Sequence, residues 1–310
     1  MFNVPDHSLY AMALVGLILI TATLAYLVIS RIQRDTDHQE LKLRIQSWWW
    51  IIGAFFVVLA SNIHFALAFI GFLSFLALKE FLSIVPGRQT DRRAIFWLYL
   101  SIPLQYYWVA TQWYGMFIIF IPVYIFLFIP IRMVLIGDTK GFIKSAGILN
   151  WAVMLCVFSI SHLGYLLVLP VKNSEAGAIG LVLYLLFTTQ FNDVCQYVWG
   201  KLFGKHKIIP KVSPNKTWQG FIGGACTTAT LSCFVAPALT PLSTLQGAGA
   251  GLLIAVTGFF GDLVISSVKR DLQIKDTGVM IPGHGGILDR MDSLLYTSPL
   301  FFHYLYYLHY

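Results

Sequence analysis

The chain contains repeated stretches of apolar residues that are long enough to cross a lipid bilayer. A helix needs about 20 such residues to span roughly 30 Å of hydrocarbon. Five stretches reach that length, and five shorter ones need a neighbour or a tilt to span well. The long stretches are residues 9–29, 146–169, 177–200, 217–239 and 247–268, and the short ones are residues 47–61, 65–82, 94–108, 116–131 and 294–310. We therefore predict an all-α, polytopic membrane bundle of about ten transmembrane helices.

The distribution of basic residues predicts how these spans are oriented. Lys and Arg accumulate in short loops on the cytoplasmic side of membrane proteins. With the N-terminus outside, ten spans place every basic cluster inside and leave only Lys172 in an outward loop. The clusters lie within residues 31–44, 88–93, 132–144, 201–216 and 269–290. We expect a multi-pass protein, in a bacterial inner membrane, with both termini outside and the functional loops facing the cytoplasm.

Composition and charge exclude several function classes. The residues are 57% hydrophobic and 11% charged, which is far from the mixture of a soluble domain. No Lys or Arg precedes the first stretch, so we interpret it as a retained helix rather than a signal peptide. The net charge of +7 arises in loops beside the membrane, where anionic lipid head groups are nearer partners than nucleic acid. We expect no nucleic-acid partner; a homodimer is compatible with the sequence, which leaves the oligomeric state open.

The two halves of the chain differ in character. Residues 1–145 form short basic loops between aromatic-rich spans, and they carry no constellation of acids and bases that suggests chemistry. Lys79 and Glu80 close the third stretch, where a structural role is the ordinary interpretation. Residues 146–310 have longer loops and polar residues inside apolar stretches, which is costly in hydrocarbon unless a cavity or a function compensates. We predict that residues 146–310 form the catalytic region.

Polar residues concentrate at three places in this second half. Asn192 and Asp193 lie inside a span, and the loop at residues 211–220 has a Ser-Pro turn followed by residues suited to cap a helix. The third place begins at Asp262, which lies deep in an apolar helix. Helical neighbours recur every three or four residues, so Asp262, Ser266 and either Lys269 or Arg270 share one face. That face is predicted to point inward.

The residues that follow this helix suit phosphate chemistry. Glycines around His284 permit close backbone approach, so that backbone amides there could converge on a phosphate. Asp289 and Asp292 then project to one side of the last helix. Carboxylates hold Mg²⁺, and the metal with Lys and Arg neutralises charge on a transferred phosphorus. Each feature alone could be structural, as a buried ion pair or a helix cap; their combination predicts phosphoryl or nucleotidyl transfer.

The same residues resemble the C-terminal signature of the phosphatidate cytidylyltransferase family. The matching run is S-x-V-K-R at 266–270, K-D at 275–276, G at 278, I-P at 281–282 and H-G-G-I-x-D-R-M-D at 284–292. Residues 213–224 and the residues Asp193, Tyr197 and Gly200 are similar to two further family segments. The similarity covers about residues 191–293. Gln219 departs from the family, which usually has Glu there, and so do Cys195 and Gln196, where smaller residues are usual.

The resemblance implies a function and roles for individual residues. It implies that CTP and phosphatidate react to give CDP-diacylglycerol and pyrophosphate at the membrane, with Mg²⁺ as cofactor; two divalent ions or an additional monovalent cation remain open. Asp262, Asp289 and Asp292 would bind the metal. The implied catalytic residues are Asp262, Lys269, Arg270, Asp289 and Arg290, and the implied substrate-binding residues are Ser213, Asn215, Lys216, Thr217, Lys275, His284, Gly285 and Gly286.

Two other functions remain open at this point. A CTP-dependent kinase of a polyprenol or phytol would also need a metal, basic residues and a cavity that faces lipid. It differs in which bond of the nucleotide is cut. A transporter would place polar residues at midspan too, commonly in paired repeats with broken helices. No repeat relates the two halves of this chain, which favours an asymmetric active site.

Overall fold

The computed structural model describes residues 4–32, 39–278, 280 and 285–310. Within those ranges the regular structure is helical, and no named strand is formed. The helices are α1 Asp6–Ile32, α2 Gln39–Ala60, α3 Ile63–Ile84, α4 Arg92–Ala110, α5 Tyr114–Val134, α6 Phe142–Val168, α7 Gly177–Phe203, α8 Trp218–Leu239, α9 Thr244–Asp271, α10 Ile287–Met291 and α11 Leu294–His309.

Eight helices of the described chain are long and apolar enough to cross a membrane. They are α1 to α3 and α5 to α9. The fourth and tenth predicted spans also fold as helices, but α11 has only 16 residues, and α4 includes two arginines and Gln105 in its 19 residues. The prediction of an all-α, multi-pass membrane protein is confirmed, and by length and composition eight of the ten predicted spans qualify.

The helices of the second half pack at close distance because glycines face their neighbours. A Cβ atom on Gly251 of α9 would lie 2.5 Å from Cβ of Ser232 on α8. A Cβ atom on Gly224 of α8 would overlap the side chain of Gln196 on α7 and lie 2.9 Å from the backbone nitrogen of Gln196. Any larger residue at either place would force the backbones apart. These contacts hold α7, α8 and α9 as one layer, against which α11 packs.

Different structural features lie at the two ends of the helix bundle. The amide of His7, at the start of α1, donates to the carbonyl of Glu175 (2.9 Å), and the hydroxyl of Tyr310 donates to the carbonyl of Pro170 (2.9 Å). The start of α1 and the end of α11 therefore both lie beside the loop before α7. At the opposite end, the last turns of α3, α7 and α9 meet α10 and the loop before α8. The polar residues that were singled out in the sequence lie at this second end.

Candidate active site

Lys216 and Asp262 form an ion pair at the entrance to α8. Thr217 caps this helix, because its Oγ1 accepts a hydrogen bond from the Gly220 amide (3.2 Å). The cap fixes the backbone beside Lys216, whose Nζ lies 2.6 Å from Oδ2 of Asp262 in α9. The other oxygen of Asp262 accepts a hydrogen bond from Ser266 (3.1 Å), which confirms that these two residues share a helix face. Both oxygens of Asp262 are therefore engaged by the chain.

Lys269 and Asp289 form a second ion pair, at the end of α9. Nζ of Lys269 lies 2.8 Å from Oδ1 of Asp289. The other oxygen, Oδ2, accepts hydrogen bonds from the amides of Thr277 (2.8 Å) and Gly286 (3.0 Å) and is within 2.9 Å of the Thr277 hydroxyl. Burial alone would raise the pKa of Asp289, but these donors outweigh it and hold the pKa of the carboxyl below its usual value. Asp289 is thus fixed as an anion.

A third group of carboxylates lies between α7 and the start of α11. Asp193 accepts a hydrogen bond from the Ser293 hydroxyl (3.1 Å), and the Ser293 amide donates to Asp292 (2.7 Å). Burial raises the pKa of Asp292 well above its usual value, and the nearby charges of Asp262 and Asp193 raise it further. These three carboxyl groups are close enough to repel one another. A bound cation would relieve that repulsion.

The donors present fit a divalent cation by their chemistry, although their positions are not those of a closed metal site. Among the described residues, no three His, Cys, Asp or Glu side chains converge to hold an ion. Asp262 and Asp292 interact electrostatically, whereas Asp289 lies against Lys269. Carboxylate oxygens are the ligands that Mg²⁺ takes up in proteins, usually only one or two of them together with water and substrate phosphates. An open site of this kind needs the substrate to complete it.

The remaining predicted residues are distributed around these pairs. Nε of Arg270 donates to the carbonyl of Val212 (3.2 Å), so Arg270 supports the loop before α8. Ser213 and Asn215 lie in that loop, where Asn215 is exposed, and Lys275 is exposed beyond α9. Gly285 has a φ of 80°, the positive value that glycine permits. The amide of Gly286 is occupied by Asp289, and His284 lies outside the described residues.

Glu80 is a residue at this site for which sequence reasoning predicted only a structural role. It lies near the end of α3, 8% exposed, and accepts hydrogen bonds from the amides of Ile287 (2.9 Å) and Leu288 (3.0 Å). It also contacts the hydroxyl of Thr277. The available signal was an acidic side chain within an apolar stretch of the first half, because such residues are costly in a membrane and commonly functional. Residues 1–145 thus contribute a polar group to the site.

An apolar cavity of about 610 Å³ opens beside these residues. Its walls come mainly from α2 and α7, including Phe55, Leu59 and Leu186. Arg290 and Met291 of α10 line its polar end. Nε of Arg290 is buried and has no hydrogen-bond partner in the described chain. The cavity therefore combines a long apolar wall with an arginine whose Nε has no hydrogen-bond partner among the described residues.

Comparison with known proteins places this arrangement in a family. Residues 42–308 match the model of the cytidylyltransferase family. The chain belongs to the cytidylyltransferase family. It is therefore an enzyme, a nucleotidyltransferase embedded in a membrane. The family match includes both ion pairs, Glu80 and all of the cavity-lining residues except Val15.

Individual relatives of this family member divide into two kinds. The Escherichia coli K12 protein described as "Uncharacterized protein YnbB" is 44% identical over 268 residues, which are 86% of this chain and 88% of that protein. Phosphatidate cytidylyltransferases of Mycobacterium bovis and Staphylococcus aureus are 40% and 36% identical over 145 and 155 residues. Each of those matches covers 47% of this chain, and 44% and 56% of the relative. The chain thus matches about half the length of these two named enzymes.

The structure explains how this cytidylyltransferase accommodates Gln219 in place of the usual Glu. Oε1 of Gln219 accepts hydrogen bonds from the amides of Lys205 (3.1 Å) and His206 (3.2 Å). Its Nε2 lies 2.8 Å from Nδ1 of His206. The side chain therefore connects α8 to the start of the loop that contains Lys216. The oxygen of Gln219 accepts hydrogen bonds as a carboxylate oxygen could, and its Nε2 provides a group that can also donate.

Proposed function

We propose that the protein is a phosphatidate cytidylyltransferase, which converts CTP and phosphatidate into CDP-diacylglycerol and pyrophosphate. The observation that carries this proposal is that the two Lys–Asp pairs lie at the same end of the bundle as Arg290, which lines an apolar cavity. The pairs provide cations for a triphosphate, and the cavity provides a lipid-like environment next to them. Family membership and the named relatives in Mycobacterium bovis and Staphylococcus aureus support the same reaction.

The reaction that we propose is a single displacement at the α-phosphorus of CTP. An oxygen of the phosphatidate phosphate forms a bond to that phosphorus, and the bond to the bridging oxygen of the β-phosphate breaks. The electron pair of the broken bond leaves with pyrophosphate. A phosphate monoester is already an anion at neutral pH, so the chain needs no covalent nucleophile and no strong general base. Positioning and charge neutralisation then account for most of the rate.

Basic side chains at the site suit the phosphates of both substrates. Lys216 and Lys269 are each held by a carboxylate in this structure, at 2.6 and 2.8 Å. A triphosphate that enters between them would share these cations with the aspartates. Arg290 faces the apolar cavity with its Nε unsatisfied, which supports a contact with the lipid phosphate. Arginine can bind a phosphate through two parallel hydrogen bonds, and this geometry fixes its orientation.

We propose Asp262, Asp289 and Asp292 as the residues that hold Mg²⁺. The divalent ion would neutralise the charge that develops on the phosphates. Within the chain, Ser266 and Lys216 orient Asp262, and Thr277 and Lys269 orient Asp289. The electrostatic interaction of Asp292 with Asp262 supports their acting together on one cation.

The site is proposed to face the cytoplasm of a bacterial cell. Basic residues of the loop before α8 and at the end of α9 lie at the site end of the bundle, and such residues favour the cytoplasmic side. CTP would enter from water at this end. The lipid would enter from the leaflet with its acyl chains in the apolar cavity, and a cavity of about 610 Å³ is compatible with part of a diacyl lipid.

The test is product analysis with the full chain, purified in detergent and supplied with CTP, phosphatidate and Mg²⁺. Mass spectrometry should detect CDP-diacylglycerol and pyrophosphate in equal amounts. Asp289→Asn should abolish both, because it removes the charge that Lys269 and three donors stabilise. Asp6→Asn, the same change on an exposed residue at the other end of the bundle, is the matched control. Formation of CDP with a polyprenol or phytol as acceptor would instead support a lipid kinase.

A further inference from the structure

Glu80 carries a buried carboxylate with which none of the basic side chains in the described ranges forms an ion pair. It is 8% exposed. A buried carboxylate without a cation is costly unless hydrogen-bond donors replace the water that it has lost. Glu80 obtains these donors from a distant part of the chain, near Asp289. The contact therefore joins α3 in the first half of the protein to the catalytic segment.

The donors to Glu80 lie in the first turn of α10. The amides at the start of a helix have no partners within the helix, and α10 has only five residues. Oε2 of Glu80 accepts the amide of Ile287 (2.9 Å), and Oε1 accepts the amide of Leu288 (3.0 Å). A carboxylate at this end of a helix is also favoured by the helix dipole. Glu80 thus accepts hydrogen bonds from two amides that have no partner within this short helix.

The same carboxylate is linked to Asp289 through Thr277. Oε1 of Glu80 and Oδ2 of Asp289 both contact the hydroxyl of Thr277. That hydroxyl has one proton and can donate to only one of them at a time. The Thr277 amide is committed to Asp289. Residues 277 and 286–288 are consequently held between two carboxylates, one from α3 and one from α10.

Steric contacts leave little freedom around this link. A Cβ atom on Gly286 would overlap the carboxylate of Glu80, and a Cβ atom on Gly278 would lie 3.1 Å from its Oε2. The backbone therefore approaches Glu80 as closely as glycine allows. A side chain that is shorter or that turns away would leave a gap as well as two unpartnered amides.

We propose that Glu80 is a positioning residue, which orients Asp289 toward Lys269 and the reacting phosphates by fixing the start of α10 and Thr277. This inference rests on the function proposed above for the role of Asp289, although its structural part can be measured independently. Glu80 does not itself contact substrate. Its effect is transmitted by the hydrogen bonds to Ile287, Leu288 and Thr277.

The proposal is tested with Glu80→Gln, and Glu175→Gln is the matched control. Gln at position 80 has one acceptor oxygen, which can replace only one of the two carboxylate oxygens, and its NH2 group cannot accept the hydrogen bond from the other backbone amide. Hydrogen exchange of the full chain in detergent, without CTP or lipid, should show faster exchange at Thr277 and in residues 286–289 of this variant. Exchange in α8 should be unchanged. Glu175 lies in an exposed loop at the other end of the bundle, so its variant should match the wild type throughout.

Kinetics separate a positioning role from a purely structural one. A displacement of about 1 Å at a reacting group can lower a rate about 10²-fold, so we expect kcat to fall by about 10- to 100-fold. KM for CTP should stay within about threefold, because the cations that bind the triphosphate remain. Thr277→Val keeps the hydrogen bond from the backbone amide of residue 277 to Asp289 but lacks the hydroxyl. It should show a smaller fall in kcat with the same exchange pattern.

Two results would overturn the proposal. One is unchanged exchange at Thr277 and in residues 286–289 of Glu80→Gln, and the other is a fall in kcat that only parallels a loss of folded protein. If Glu80→Gln does not accumulate as a folded protein, Thr277→Val decides by the same two measurements. Absence of turnover in the wild type with CTP and phosphatidate would count against the proposed function alone, because the exchange experiment needs no reaction.

Discussion

Nζ of Lys216 lies 2.6 Å from Oδ2 of Asp262, and both side chains are partly exposed, at 21% and 25%. The pair connects the loop before α8 to the interior of α9. A lysine that already pairs with one carboxylate can also contact a phosphate without a large movement of its side chain. Lys216 also lies 5.2 Å from the ring centre of Phe259, which limits the directions in which it can turn. Lys216, which we propose as a phosphate-binding residue, is therefore held in an ion pair in this structure.

We predict that Asp262→Asn and Lys216→Met each lower kcat/KM by at least about 10²-fold, a loss typical of removing one electrostatic contact to a transition state. Asn lacks the negative charge that attracts Lys216 and would attract a divalent cation, and Met keeps an unbranched apolar chain of similar length without the charge of Lys. The assay is formation of CDP-diacylglycerol by the purified protein. Lys172→Met, at the opposite end of the bundle, is the control and should retain full activity. Near-normal turnover in Lys216→Met would remove this residue from the site.

Local rules of sequence predicted part of the site and missed the part that depends on distant contacts. Asp262 and Ser266 are four residues apart on one helix, so their contact follows from helix geometry. Lys269 and Asp289 were predicted to act in one segment, but their pairing depends on how the loop between them folds back. Glu80 contacts a helix 207 residues further along the chain. No periodicity in a single sequence contains that information.

The transmembrane architecture was more predictable than the site, for a physical reason. Every backbone polar group in hydrocarbon must be paired within its own segment, so an apolar stretch of sufficient length can only be a helix. All ten predicted spans are helical in the structure. The packing between them follows from side-chain shape instead. The position of α11, whose 16 residues pack against α9 and α6, could not be predicted from its composition.

We predict that Gln219→Glu is tolerated and Gln219→Leu is not. Glu keeps an acceptor for the amides of Lys205 and His206, and the His206 ring can change tautomer so that Nδ1 donates. Leu leaves both amides unpaired and releases the loop that carries Lys216. KM for CTP should change by less than about threefold in the first variant and rise about tenfold in the second, as expected for losing one or two hydrogen bonds. Equal KM values for the two variants would contradict this role of Gln219.

A bulky residue in the apolar cavity should interfere with the lipid and not with the nucleotide. Leu186 lines the cavity, whereas Leu24 on α1 is 55% exposed and lies outside it. We expect Leu186→Trp to raise the apparent KM for long-chain phosphatidate by about tenfold, the cost of about 1.4 kcal/mol of lost binding. Dioctanoyl phosphatidate should be less affected, and KM for CTP should not change. Leu24→Trp should behave as wild type. A uniform loss with both lipids would contradict acyl-chain binding in this cavity.

Because α7 packs closely against α8, the addition of a single methyl group at Gly224 should lower the stability of the protein. A Cβ atom there meets the side chain of Gln196, which can move, and lies 2.9 Å from the Gln196 backbone nitrogen, which cannot. We expect Gly224→Ala to destabilise the fold by about 1–3 kcal/mol, the usual cost of overpacking. Gly53 of α2 has no atom within 4 Å of a built Cβ, so Gly53→Ala should be neutral or slightly stabilising through helix propensity. Thermal unfolding in detergent, followed for both variants and the wild type, should therefore give a lower midpoint for Gly224→Ala alone. Equal midpoints would mean that α7 and α8 can separate at little cost, and that their spacing is not set by Gly224.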